Sequence, residues 1–151
     1  PHPMPERTGV GLRVFGPATE MHLSEGDPIP TDLTNLWVAT IERFQQITSG
    51  LPQHRCVRWL MEHIVEKKYS QGLLPGTSMY TLLISIPENN KVSYASTLRV
   101  SYEELDQLVT MRLEGASRFE WETTCQPSEL VDTFEHFLML HSDWRIAASS
   151  N

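Results

Sequence analysis

Met79-Tyr80-Thr81-Leu82-Leu83-Ile84-Ser85-Ile86, followed by Pro87-Glu88-Asn89-Asn90 and then Lys91 to Val100, is the stretch that decides the fold. The first eight residues are rich in β-branched, aromatic and aliphatic side chains, which suit a pleated, half-buried surface. Pro-Glu-Asn-Asn supplies turn chemistry, and the return carries Val92, Tyr94, Leu98 and Val100. The pattern predicts an antiparallel β-hairpin over 79–100.

Upstream of this hairpin the apolar period is that of a helix. Leu33, Leu36, Trp37, Ile41, Phe44 and Ile47 recur at steps of three and four, predicting an amphipathic helix over about residues 32–48. Thr31 reads as its N-cap and Gly50 as the residue just past its C-terminus. Val57, Leu60, Met61, Ile64 and Val65 form the stripe of a second helix, with Lys67 and Lys68 at its C-terminal end. The short connection makes the two helices packed neighbours. Further upstream, Val10-Leu12-Val14 alternate as a strand and Thr19 to Leu23 read as a second short one.

Downstream, Ser101-Tyr102-Glu103-Glu104 resembles a capping box, so a short helical turn is expected at 102–106. Val109-Met111-Leu113 and Phe119-Trp121-Thr123 alternate on either side of Gly115-Ala116-Ser117, predicting a second hairpin. Pro127-Ser128-Glu129 opens a last helix whose inner face carries Leu130, Val131, Phe134, Phe137, Leu138 and His141. The expected fold is one α+β domain over 9–146: an antiparallel sheet of four to six strands, built from two hairpins, packed against two consecutive helices and a C-terminal helix. Residues 1–8 read as a Pro-rich flexible arm, vector-derived in part if not a trimmed start, and 147–151 as a frayed tail.

The chain has 151 residues with 40% apolar and 21% charged, enough for a self-sufficient core. A formal charge of −7 argues against sequence-specific nucleic-acid binding through the whole surface. Cys56 and Cys125 form no CxxC pair, which fits a reducing compartment. No secretory apolar segment, N-x-S/T acceptor or 18-residue apolar run occurs, so a secreted or membrane-spanning product is not expected.

Catalysis finds no support. His54 and His63 are nine residues apart and His136 and His141 five, neither a helical metal-ligand spacing. Neither a nucleophile-elbow nor a phosphate-loop nor a dinucleotide fingerprint is present. Cys56 lies on an apolar helical face and reads as a small packed hydrophobe. No enzyme, metal or cofactor is therefore expected. Binding residues are clearer. Gly72-Leu73-Leu74-Pro75-Gly76 places two leucines between helix breakers, so the segment reads as a surface loop just after Lys67 and Lys68. An exposed Leu73–Leu74 pair beside these lysines suits an anionic bilayer; the alternative is that the two leucines fold back over a helix end and cap the core. Arg55 and Arg58, on one face of the second helix with Glu62, are candidates for an anionic partner.

The order of features resembles the globular domain of rhabdovirus matrix proteins. The similar stretches are Pro28-Ile29-Pro30-Thr31, Phe44-Gln45-Gln46-Ile47-Thr48-Ser49-Gly50, Leu98-Arg99-Val100 before an acidic turn, and Arg118-Phe119-Glu120-Trp121 before a Pro-opened helix. The resemblance implies that Leu73 and Leu74, with Lys67 and Lys68, form the membrane-touching loop. It implies that Pro3-Met4-Pro5 docks on a neighbouring subunit and that Arg55 and Arg58 face the nucleocapsid. The implied role is non-enzymatic: self-association and bridging of the membrane inner leaflet to the nucleocapsid during budding, in the virion and host cytoplasm. Two features depart from the family: the longer basic N-terminal tail, often with P-P-x-Y, is not in this sequence, and the balance is acidic. The alternative is an acidic bacterial secretion chaperone or immunity-type protein that binds a polypeptide client.

Overall fold

A computed structural model describes residues 20–21, 23–115 and 119–149. Val10-Leu12-Val14 and the Pro3-Met4-Pro5 arm lie outside the described residues. Six strands form one antiparallel meander in the order β1 to β6: β1 Glu20–Met21, β2 Leu74–Ser78, β3 Thr81–Ser85, β4 Thr97–Glu103, β5 Leu108–Glu114 and β6 Phe119–Cys125. Helices α1 (Leu33–Ile47) and α2 (Arg55–Glu66) lie in the connection between β1 and β2. Helices α3 (Leu130–Leu140) and α4 (Ser142–Ala148) follow β6. The α+β architecture with two consecutive helices is the one the sequence predicts.

Each helix is placed by its apolar face. In α1 the buried residues are Leu33, Leu36, Trp37, Thr40 and Phe44, and in α2 Cys56, Val57, Leu60, Met61 and Ile64. Asp32, not Thr31, caps α1: its Oδ1 accepts from the Asn35 amide at 3.2 Å. Gly50 adopts φ +81°, a left-handed conformation that Gly reaches without penalty, and turns the chain toward α2. Helices and sheet enclose a main core that includes Trp37, Phe44, Leu82, Leu98, Val109, Phe134 and Phe137. A smaller cluster of Leu23, Leu33, Leu36, Leu74 and Val92 lies beside it.

Four local expectations are corrected. Leu74-Pro75-Gly76 is not a loop but the start of β2, paired with β3 from Leu74↔Ser85 onward. Among the described residues β1 pairs only with Thr77 and Ser78, so Pro75 lies beyond that ladder, where its missing amide costs no described hydrogen bond. The strand after the first hairpin begins at Thr97 rather than Lys91. Asn89 and Asn90 take φ 55° and 61°, closing a tight turn in which the Glu88 and Lys91 amides each donate to the other's carbonyl. Val92 then pairs with the Gly26–Asp27 loop and fills the smaller cluster instead of the sheet.

The expected helical turn at 102–106 is strand through Glu103, with Ser101 Oγ donating to Glu103 Oε2 at 2.9 Å. Tyr102 packs on the main core, and the chain reverses where Gln107 takes φ 59° and its amide bonds to Glu103 O. Finally, α3 ends at Leu140, His141 is extended, and α4 buries Trp144 and Ala148. Residue 148 is therefore part of the fold and not of a frayed tail, because Trp144 and Ala148 are one turn apart and share the inner face.

Thr77 stands opposite Leu82 in the ladder, and its buried hydroxyl has no hydrogen-bond partner among the described residues. Replacing it with the near-isosteric Val removes an unsatisfied polar group. Thr77→Val is expected to raise stability by about 1 kcal/mol, read from urea unfolding. A loss of stability would show that the hydroxyl is bonded.

Candidate functional site

The sequence-derived site splits once the chain is folded. Leu73 is 0% and Leu74 3% exposed, so neither is available to a membrane. Leu73 belongs to the main core, Leu74 to the smaller cluster, and the Trp37 indole donates to the Leu73 carbonyl at 2.8 Å. Their burial follows from β2: a strand between Gly72 and the β3 turn carries its leucines into the two cores instead of out on a loop.

Lys67 and Lys68 do remain exposed, at the C-terminal end of α2 where the helix dipole favours cations. Lys68 adopts φ 66° and starts a 3-10 turn over Tyr69–Gln71. Helix α4 packs against that turn, and α3 packs against α2. Exposed apolar side chains on these helices are Met139, 71%, and Leu140, 54%, at the end of α3, and Ile146, 67%, on α4. Exposed apolar side chains thus lie on α3 and α4 and not at the leucine pair. The sequence held a signal for it. Phe137-Leu138-Met139-Leu140 is a run of four apolar residues, and a helix cannot turn all four inward.

Arg55 and Arg58 sit in the first turn of α2. The 12-residue helix is about 18 Å long at 1.5 Å per residue, so they are far from the lysines. They line a cleft of about 340 Å³ with Gln45, Ser49 and Leu51 at the α1–α2 connection. Arg58 Nε lies 3.9 Å from Glu62 Oε2, an exposed i,i+4 contact that adds little and leaves the cation usable.

A polar network ties α2 to α3. Glu135 accepts from the Tyr69 hydroxyl at 3.1 and 2.9 Å and meets His63 Nε2 at 2.7 Å. Burial, followed by this hydrogen bond and the carboxylate charge, pushes the Tyr69 phenol from 10.0 up to about 12. The folded state therefore holds the proton more tightly than the unfolded chain. The associated stability is complete below pH 10.0 and is lost as pH rises through about 12. Glu135→Gln is expected to bring the Tyr69 titration, followed by phenolate absorbance, back toward its ordinary value. An unchanged titration would refute the contact.

His54 is 2% exposed between the Tyr80 and Tyr102 rings at centroid distances of 4.7 and 5.7 Å, with Glu104 Oε2 at 3.3 Å from its Nε2. Burial raises both the Cys56 and Cys125 thiols, which disfavours the thiolate a nucleophile needs. Among the described residues no group of three or more His, Cys, Asp or Glu converges as metal ligands. No helix among them is long and apolar enough to cross a membrane. Set against known proteins, the chain matches no family model, no curated sequence and no solved structure.

Proposed function

We propose that this chain is a non-enzymatic, matrix-type structural protein. In this reading it self-associates and bridges an anionic inner leaflet to a nucleocapsid during virion assembly and budding. The observation that carries the reading is the order of elements: a short strand, two consecutive helices, an antiparallel meander and a closing helical pair. That order shares the leading strand, the two consecutive helices and the antiparallel strands with the matrix resemblance, while the buried start of β2 stands where the resemblance has an exposed apolar loop. Membrane contact falls to Lys67 and Lys68 with Met139, Leu140 and Ile146. Arg55 and Arg58, lining their cleft, take the anionic nucleocapsid partner at a separate place, as a bridging protein requires. The Pro3-Met4-Pro5 segment serves self-association.

The energetics make one copy a weak membrane binder. Burying an exposed Met, Leu or Ile side chain contributes at most about 1.5–3 kcal/mol, and each lysine near an anionic surface about 1 kcal/mol. Immobilisation offsets much of this, so linked copies are needed for stable attachment. Co-sedimentation with phosphatidylserine vesicles at low and moderate salt tests the assignment. The protein is expected to pellet, less so as salt rises. Met139→Ser/Leu140→Ser/Ile146→Ser and Lys67→Gln/Lys68→Gln are expected to stay in solution. Equal pelleting by the triple variant would remove these apolar residues from the mechanism. A stoichiometric polypeptide co-purifying with a protein that ignores vesicles would favour a client-binding chaperone.

A further inference from the structure

Two hairpin tips stand side by side at one end of the sheet. Ser78 pairs with Thr81, so Met79 and Tyr80 form the β2–β3 turn. Glu103 pairs with Leu108, so residues 104–107 form the β4–β5 turn. Strands β3 and β4 run antiparallel with Leu82 opposite Val100, which puts both turns at the same end. The turns are two strand spacings apart, about 10 Å.

Both tips display an apolar side chain to solvent: Leu105 is 95% exposed and Met79 51%. Met79 also holds φ 55° in a two-residue turn, a left-handed conformation that glycine or asparagine takes more easily. The tips are anchored nonetheless. His54 packs its ring on Tyr80 of one turn and on Tyr102 just before the other. Gln53 Nε2 donates to Glu104 Oε2 at 2.9 Å, and the Gln107 amide donates to the Glu103 carbonyl at 2.8 Å. The surroundings are acidic. Glu103, Glu104 and Asp106 flank Leu105, and all three are exposed. Arg99 and Arg112 line the adjoining cleft together with Glu103, Asp106 and Glu122. With Glu104 counted, and Arg55 in the first turn of α2, the carboxylates still outnumber the guanidiniums.

We propose that this end of the sheet docks a cationic polypeptide segment in which aliphatic side chains alternate with Lys or Arg. Two apolar tips rimmed by carboxylates complement aliphatic residues flanked by cations. A nucleic acid or an anionic bilayer would bring phosphates against the carboxylates. A second copy docked tip to tip would set acid against acid. A small polyamine matches the charge but leaves Leu105 and Met79 in water. A polypeptide spans both tips, and their anchoring lowers the ordering cost of binding it. The assignment is independent of the matrix reading, because it uses neither the exposed residues of α3 and α4 nor the cleft of Arg55 and Arg58.

The probe is the peptide acetyl-Leu-Arg-Leu-Lys-Leu-amide, titrated into the isotope-labelled chain and followed by amide chemical shifts. Its controls are acetyl-Leu-Glu-Leu-Glu-Leu-amide and acetyl-Ser-Arg-Ser-Lys-Ser-amide. The basic leucine peptide is expected to move Met79, Tyr80 and Glu104 to Gln107, and to bind about tenfold more tightly than either control. Met79→Gly/Leu105→Ser is expected to bind it about tenfold more weakly. That variant should melt no lower than the parent, since both side chains are exposed and glycine takes the left-handed turn freely. Glu103→Gln/Asp106→Asn is expected to cut the preference over the Glu peptide by about fivefold. Unchanged binding by Met79→Gly/Leu105→Ser, or equal binding of the Ser peptide, would overturn the proposal by reducing it to charge alone. Spermine moving the same amides with the peptide's affinity would overturn it likewise. Phosphatidylcholine vesicles that move these amides would make the tips a lipid contact instead. A dimer of the free chain that Met79→Gly/Leu105→Ser dissociates would overturn it in favour of a second copy.

Discussion

Changing Leu73 and Leu74 together to serine is expected to unfold the domain. Each leucine is almost fully buried, and they occupy different apolar clusters, so the two losses are largely additive. A large-to-small substitution of buried Leu costs about 2–5 kcal/mol. Serine also introduces a hydroxyl without a partner, which adds further cost. The sum is comparable with the whole stability of an ordinary domain, about 5–15 kcal/mol. Leu73→Ser also disturbs the backbone whose carbonyl receives the Trp37 indole proton at 2.8 Å. Circular dichroism and thermal melting read the result directly. A double variant that folds with an unchanged melting temperature would return the pair to the surface.

Phe137→Ala is the second large effect. Phe137 is 0% exposed and its ring centroid lies 5.2 Å from Trp121, 6.2 Å from Phe134, 4.4 Å from His141 and 5.3 Å from Trp144. One side chain therefore joins β6, α3 and α4. Truncating a buried Phe costs about 3–5 kcal/mol, and the aromatic pairs add about 0.5–1.5 kcal/mol each beyond area. The expected outcome is a large fall in urea midpoint together with loss of the near-ultraviolet tryptophan signal as α4 loosens. Met139→Ala, two positions on and 71% exposed, is expected to stay within about 0.5 kcal/mol of the parent. Similar costs at 137 and 139 would contradict the packing.

Much of this fold was legible because the apolar spacing is unambiguous where one face meets the core. Leu33 to Ile47 and Val57 to Val65 keep a helical period, while Val109-Met111-Leu113 keeps a strict period of two. The errors arose where local chemistry and tertiary pairing disagree. Pro75 and Gly76 break strands in general, yet here a two-residue β1 leaves room for them beside β3. Ser101-Tyr102-Glu103 has the composition of a helix start, but pairing with β5 and packing of Tyr102 keep it extended.

The placement of the candidate charges was legible, and the exposure of the leucine pair was misread. Lys67, Lys68, Arg55 and Arg58 are where the helical period puts them, at opposite ends of α2. The leucine pair went inward, and the exposed apolar residues include Leu105, Met139, Leu140 and Ile146 instead. Linear order does not reveal the packing of α4 on Tyr69–Gln71, a contact between distant parts of the chain. The common end of the Met79 and Leu105 turns is likewise invisible without the β3–β4 register.

The central functional claim, assembly on an anionic membrane, is tested most directly by electron cryomicroscopy of phosphatidylserine vesicles incubated with the protein over a range of concentrations. A contiguous protein layer is expected to appear cooperatively with concentration and to be lost in Met139→Ser/Leu140→Ser/Ile146→Ser. Bare vesicles at every concentration, with the protein monomeric in the supernatant, would contradict it.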